Sequence, residues 1–225
     1  MFKKTLLTLA LAATAGTANA ATATFGWENG ATVLGTFGNI GSATNVSSGE
    51  NGAPTAYAGT SMLHIVEDPL GGTPQAFVGM VTGLSAGDEV TASFYGYDTT
   101  PSASPSLRIW GHYGDSATLR SELALNGEIT DYTGSAGGNN TYTDGLGWSQ
   151  VSHTWTIEVG KDGLVIEARI YSAAGANEAW VDALSITAPD GALITTPAPV
   201  PVPAAVWLMG SAVAGLAGFA RRRNA

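Results

Sequence analysis

Cysteine is absent from the 225-residue chain. No disulfide framework, thiolate nucleophile or thiolate metal cage can be built from it. Positive charge is scarce as well: nine Lys and Arg stand against eighteen Asp and Glu, for a net charge of −9. Lys3, Lys4, Arg221, Arg222 and Arg223 lie at the two ends. The body therefore keeps Arg108, Arg120, Lys161 and Arg169 against all eighteen acids, a net −14. Such a body lacks the clustered cations that grip a phosphate backbone, so no nucleic-acid partner is expected. It suits a soluble extracellular protein, or one that holds divalent cations.

Catalytic signatures are missing too. The body has three histidines, His64, His112 and His153, with no H-E-x-x-H and no metal-ligand spacing. "GTSML" lacks the closing glycine of a G-x-S-x-G elbow, and no phosphate-binding loop surrounds Lys161. A glycosidase needs two carboxylates across a cleft, but with eighteen acids some pair arises by chance, and no E-x-D-x-E strand is present. The expectation is a protein that is not an enzyme. His153 alternates with Val151 and Trp155, which reads as an inward-facing core histidine rather than a base.

What the chain does have is two distinctive ends. Lys3 and Lys4 precede an uncharged apolar run from Leu6 to Ala15, and Ala18-Asn19-Ala20 gives a small-x-small cleavage pattern. Residues 1–20 read as a secretory signal peptide, with the mature chain starting at Ala21. At the other end, Ala204 to Ala220 carries no charge and Ser211 as its one polar member. As a helix at ~1.5 Å per residue it reaches about 26 Å, enough to serve as a single membrane span. The arginines that follow at once would keep that end on the cytoplasmic side. Residues 191–203 form a Pro-rich linker expected to run extended.

Between the ends, residues 21–190 make one domain. "TSMLHIVE" (Thr60 to Glu67), "AFVGMVTGL" (Ala76 to Leu84), "DEVTASFYGYDT" (Asp88 to Thr99), "SLRIWGHY" (Ser106 to Tyr113), "WSQVSHTWTIEV" (Trp148 to Val159), "GLVIEARIYS" (Gly163 to Ser172) and "EAWVDALSITA" (Glu178 to Ala188) are β-branched, aromatic and largely alternating. Turn signals such as "SAGD" and "GKDG" separate them, and no window shows a helical period. Eight to ten short strands of this kind predict an all-β sandwich or barrel.

Two resemblances add to that reading. "VPVPAAVWL" (Val200 to Leu208), followed by an apolar helix and an arginine cluster, resembles the PEP-CTERM sorting signal. The matching residues are Val200, Pro201, Pro203, Ala204, Trp207, Arg221, Arg222 and Arg223 within 200–225. The resemblance implies recognition by an exosortase in a Gram-negative bacterium that makes exopolysaccharide. It implies transient anchoring in the inner membrane, removal of the tail, and release to the outer surface or extracellular matrix. The body resembles jelly-roll carbohydrate-binding modules through "GWENG" (Gly26 to Gly30), "GTSML" (Gly59 to Leu63), "LSAGDEVTASF" (Leu84 to Phe94), "WSQVSHTW" (Trp148 to Trp155) and "WVDALSI" (Trp180 to Ile186). Val90 and Trp155 stand where that family has an aromatic and a Phe, while Arg120 to Gly147 matches nothing in it. This second resemblance implies a β-sandwich jelly roll and a structural Ca²⁺ between the N-terminal element and the last strand. Glu28 and Asp182 match its carboxylates, with the Thr60 carbonyl as a third oxygen; the alternative is two solvated acids at strand ends.

Alternation marks a ligand surface. Leu107, Ile109 and Gly111 fall on one face of their strand, and Arg108, Trp110 and His112 on the other. Val90, Ala92 and Phe94 oppose Ser93, Tyr95 and Tyr97, while Leu164, Ile166, Ala168 and Ile170 oppose Glu167, Arg169 and Tyr171. If the three strands share a sheet, Tyr95, Tyr97, Arg108, Trp110, His112, Glu167, Arg169 and Tyr171 line one groove. Rings for pyranose faces and polar groups for hydroxyls suit a polysaccharide. The alternative is that the strands lie in different sheets, or that a loop covers the groove. Three functional readings follow: an exopolysaccharide-binding module, a structural or adhesive biofilm matrix protein, and a glycan-active enzyme.

Overall fold

The computed structural model describes residues 20–98, 106–130, 132–139, 147–171 and 177–198. Residues 1–19 of the expected signal peptide lie outside them, as do the expected sorting residues Val200, Pro201, Pro203, Ala204, Trp207, Arg221, Arg222 and Arg223 and the apolar stretch 204–220. Among the described residues no helix is long and apolar enough to cross a membrane.

The seven strands read from alternation are all present: β4 (Ser61–Glu67), β5 (Gln75–Thr82), β6 (Glu89–Asp98), β7 (Ser106–Gly114), β9 (Gly147–Thr156), β10 (Gly163–Tyr171) and β11 (Glu178–Pro189). Five further strands join them: β1 (Ala20–Phe25), β2 (Gly35–Phe37), β3 (Ile40–Ser47), β8 (Ser135–Gly138) and β12 (Leu193–Thr195). β12 lies within the stretch read as a linker and pairs with β5, so the sheet continues past residue 190.

Two antiparallel sheets result. Sheet A runs β3-β4-β11-β6-β9 with β1 beside the second half of β11, and sheet B runs β12-β5-β10-β7-β8 with β2 beside β5. From β4 to β11 the pairing is nested: β7 with β8, β6 with β9, β5 with β10, β4 with β11. Successive nested pairs fall in opposite sheets, and the cross-pairs β6–β11 and β7–β10 close each sheet. That winding is the jelly-roll form of the β-sandwich.

The inward rows fill the space between the sheets. Val90, Ala92 and Phe94 meet Leu107, Ile109, Leu164, Ile166, Ala168 and Ile170, with Val181, Leu184 and Ile186 from β11. Val90 and Trp155, the two departures from the family pattern, are both buried in this core. Burying each large apolar side chain contributes about 1.5–3 kcal/mol. His153 lies half-buried on the same inward row of β9, packed edge-on against Trp155, and burial lowers its pKa.

One helix departs from the all-β expectation. α1 (Ser116–Asn126) is capped by Asp115, whose carboxylate accepts from the Thr118 amide at 2.8 Å, and ends at Gly127, which takes φ +76°. Those caps follow the ordinary rules for helix ends. The helix buries Leu119, with Leu123 beside it, on the outer face of sheet B against Phe77, Met80 and Val165. With so few apolar positions in three turns, no helical period could show in the sequence.

Candidate functional site

The strand registers place the predicted residues on two opposite faces. On the outer face of sheet B, one row runs Phe37–Gln75–Arg169–Arg108 across β2, β5, β10 and β7. The next runs Gly35–Phe77–Glu167–Trp110–Gly138. A third carries Met80, Val165, His112 and Ser135, and α1 covers its apolar end. Tyr171 extends the β10 row beyond Arg169. Tyr95 and Tyr97 do not belong to this face: β6 pairs with β9 and β11 in sheet A. The expected single groove is therefore split. The cause is the winding itself, which sends β6 and β7 to opposite sheets.

At the centre of the sheet B face is a buried ionic network. Glu167 is fully buried and accepts from Arg169 Nε at 2.9 Å, while its other oxygen contacts His112 Nδ1. With its side-chain amide turned to suit its neighbours, Gln75 donates to Glu167 and accepts from Arg169, each at 3.2 Å. Such a buried carboxylate is tolerable beneath this face because one oxygen is held by the Arg169 guanidinium and the Gln75 amide and the other by the His112 ring. The guanidinium of Arg169 lies 4.5 Å from the Trp110 ring centre, and that of Arg108 lies 4.6 Å from Tyr171. Trp110 is pinned by an indole hydrogen bond to Ser135 Oγ at 2.7 Å.

Exposure separates two roles among these residues. His112, Glu167 and Arg169 are buried, so they form a floor. Arg108, Trp110 and Tyr171 are half-buried and reach solvent. Three residues absent from the sequence reading join the surface. Tyr132 packs on His112, with ring centres 4.3 Å apart, and burial raises its pKa. Phe37 is 51% exposed and meets Tyr132 edge-on. Gln75 completes the network. Of these, Gln75 adjoins a readable strand; Phe37 and Tyr132 come from a three-residue strand and a loop, where alternation gives no signal.

The candidate cation residues also converge. Glu28 accepts from the Thr60 amide at 2.9 and 3.1 Å, from the Thr60 hydroxyl at 2.8 Å and from the Ser61 amide at 3.1 Å. The Ser61 amide, helped by Thr60, holds the Glu28 pKa below the usual carboxylate range. Gly59 makes this approach possible, because a Cβ there would collide with the Glu28 carboxylate. Asp182 is fully buried and accepts from the Ala58 amide at 2.9 Å and from the Ala183 amide at 2.6 Å. Burial pushes its pKa up, and the nearby Glu28 charge adds to the shift. A β-bulge at Ala183, with φ +51°, turns both Asp182 and Ser185 outward.

Thr60 reaches Glu28 through its amide and hydroxyl. Its carbonyl, the expected third ligand, accepts instead from the Ser48 amide and hydroxyl. Two neighbouring carboxylates, one of them desolvated, fit the charge of a hard divalent cation, whose remaining oxygens would have to come from loops and water. Among the described residues no group of three or more His, Cys, Asp or Glu could hold a metal ion.

No family model and no curated protein sequence matches the chain. Solved structures of similar shape include the CBM22-1 xylan-binding domain of Paenibacillus barcinonensis Xyn10C, which is 18% identical, with 74% of this chain and 92% of that one covered and a TM-score of 0.42. The tandem CBM22-1–CBM22-2 domain of the same protein is 16% identical over 85% of this chain and 50% of that one, at a TM-score of 0.48. The enzymatically active domain of tailspike protein 4 of bacteriophage CBA120 is 9% identical over 76% of this chain and 19% of that one, at 0.43.

Proposed function

We propose that the chain is an exported polysaccharide-binding module rather than an enzyme. Its ligand surface is the outer face of sheet B, and its C-terminal signal is one that an exosortase removes after transient anchoring in the membrane. One observation carries the binding role: half-exposed Trp110 and Tyr171 rings, each paired with a guanidinium, stand over a rigid buried network. Rings fixed in this way offer flat apolar faces to pyranose C–H groups, and the cations between them offer donors to hydroxyls. The network beneath holds the donors in place, which cuts the entropy lost on binding. A single Ca²⁺ at Glu28 and Asp182 would neutralise the desolvated carboxylate and stiffen the loop that Asp182 holds through Ala58. The sorting signal supports delivery to the outer surface or extracellular matrix of a Gram-negative bacterium.

The second reading is a structural matrix protein with no specific ligand; the deep burial of His112, Glu167 and Arg169 favours it. Affinity electrophoresis through gels cast with glucuronoxylan, barley β-glucan or alginate separates the two. A retarded wild type, with retardation by at least one polysaccharide lost in Trp110→Ala and the near-ultraviolet circular dichroism outside the lost indole band retained, is the expected outcome. Unchanged retardation in Trp110→Ala on every gel overturns the assignment of the face.

A further inference from the structure

The residues that the winding sends to sheet A form a second surface of different character. One row across β4, β11, β6 and β9 reads His64–Trp180–Tyr97–Trp148. The next reads Asp182–Tyr95–Gln150. Beyond the bulge the side chains become small hydroxyls: Thr24–Ser185–Ser93–Ser152, then Thr22–Thr187–Thr91–Thr154. Within that last row, Thr22 and Thr187 pair their hydroxyls at 3.1 Å, and Thr91 and Thr154 at 2.8 Å. Each hydroxyl retains capacity for a further partner.

At the aromatic end, Tyr57 lies flat on Tyr95, with ring centres 3.6 Å apart and planes 14° from parallel. Tyr57 is 45% exposed, so its second face is open. Trp148 stands 6.1 Å away at 69° to it, making a wall beside that floor. Both rings are held: Trp148 donates to the Thr55 carbonyl at 2.9 Å, and the loop that carries Tyr57 is anchored on Asp182 through Ala58 and on Glu28 through Thr60. Between corner and hydroxyl rows opens a hollow of about 270 Å³ lined by Thr24, Phe25, Gly26, Ala58, Ala183, Leu184 and Ser185.

Charge decides what fits there. Arg108, Arg120, Lys161 and Arg169, the basic residues of the described chain, all lie off this face. Its carboxylates are Glu178 and Glu89 at its two ends, with the buried Asp182 and the neighbouring Glu28 between them. An anionic ligand has no counter-charge on such a surface, and aliphatic anchors for a protein partner are missing from its exposed rows.

We propose that the outer face of sheet A is a second carbohydrate site, specific for an uncharged polysaccharide chain laid along the strands. One pyranose rests on Tyr57 against Trp148, and the following units pass over the hollow to the Ser/Thr rows. The Trp180 indole N–H, buried in the row that Tyr97 and Trp148 share, has no acceptor among the described residues, and such a donor is normally paired.

The site shares no residue with the sheet B face, so the two readings fail separately. Three proteins, full-length wild type, Tyr57→Ala and Thr91→Val/Thr154→Val, are compared with Trp110→Ala on gels containing hydroxyethyl cellulose, barley β-glucan or polygalacturonate. All four substitutions are at exposed or half-exposed side chains, and circular dichroism verifies folding. Wild type is expected to be retarded by a neutral glucan, Tyr57→Ala to weaken that retardation about ten-fold, as loss of one stacking ring implies, and Trp110→Ala to leave it unchanged. The Thr double variant is expected to weaken it less, and polygalacturonate retardation is expected not to respond to Tyr57→Ala. No retardation of wild type by either neutral glucan, or equal retardation of wild type and Tyr57→Ala, overturns the second site. Loss of neutral-glucan retardation in Trp110→Ala overturns it as well, assigning all binding to sheet B.

Discussion

Glu167→Ala is the sharpest perturbation of the sheet B face. The side chain is fully buried and sits between His112 and Arg169, themselves nearly buried, with Gln75 completing the set. Its removal leaves a guanidinium in the interior without its carboxylate, which costs about 3–5 kcal/mol in comparable buried pairs. In a domain of this size each kcal/mol lowers Tm by about 2–4 °C, so the expected drop is about 6–20 °C. Glu167→Gln keeps an acceptor for Arg169 but loses the charge and turns the second oxygen into an amide donor, costing about 1.5–3 kcal/mol. The double variant Glu167→Met/Arg169→Met removes both ions and should recover much of the loss, because no uncompensated charge remains. Exposed Glu158→Ala serves as the control, within about 0.5 kcal/mol of wild type. Urea unfolding at neutral pH reads all four. If Glu167→Ala falls within 1 kcal/mol of wild type, or the double variant is less stable than the single, the network does not organise this face.

Further outcomes follow from the carboxylates and the tail. Asp182 has its folded-state pKa raised by burial; the folded protein therefore holds the extra proton between the unfolded and folded values, and this group's contribution to stability falls as pH rises through that window. Asp182→Asn should flatten the fall. Glu28 acts in the opposite sense: its folded pKa is lowered, so its contribution is present above the ordinary carboxylate range and fades as pH drops through the folded value. A bound Ca²⁺ should relieve the Asp182 penalty at pH 7 but not at pH 4, so EDTA should lower Tm at the higher pH alone; an EDTA-insensitive Tm at both removes calcium from the account. For the tail, mass spectrometry of the extracellular protein should find a C-terminus upstream of or near Val200, and a form still carrying Arg223 there would refute processing.

Alternation in the sequence is enough to find seven strands within about three residues and, in β6, β7 and β10, to sort side chains into inward and outward rows. It could not say which strands share a sheet. A period of two tells a side chain which way to face but carries no information about the neighbour across the hydrogen bonds, and for that reason alternation alone puts Tyr95 and Tyr97 beside Trp110. The strands it missed lack the pattern for physical reasons. β3, "IGSATNVS", lies at a sheet edge and needs few apolar contacts, while β2 and β12 are three residues long and borrow their order from β5. α1 carries no periodicity, since the helix rests on sheet B through little more than Leu119 and Leu123; its ends are set by the Asp115 and Gly127 caps. The Glu28–Asp182 proximity came from family resemblance, and nothing in spacing alone would have given it.

The nested pairing also sets an order of events for any chain delivered from its N-terminus. β3 can meet β4, and β2 can meet β5, as soon as those strands are out; within the nest β7 and β8 lead, and each later partner closes a wider loop than the one before. β1 cannot pair until β11 arrives, because Ala20 is matched to Pro189. Long-range closure of this kind is slow, and unpaired edges remain sticky while it is pending. The first strand to emerge is thus among the last to be satisfied, and residues 199–225 are still to come when it is. A terminal segment that detains the chain at the membrane for that interval would hold each molecule apart from its neighbours while its edges are open. If the tail acts as proposed, it would be a spacer in time as much as an address.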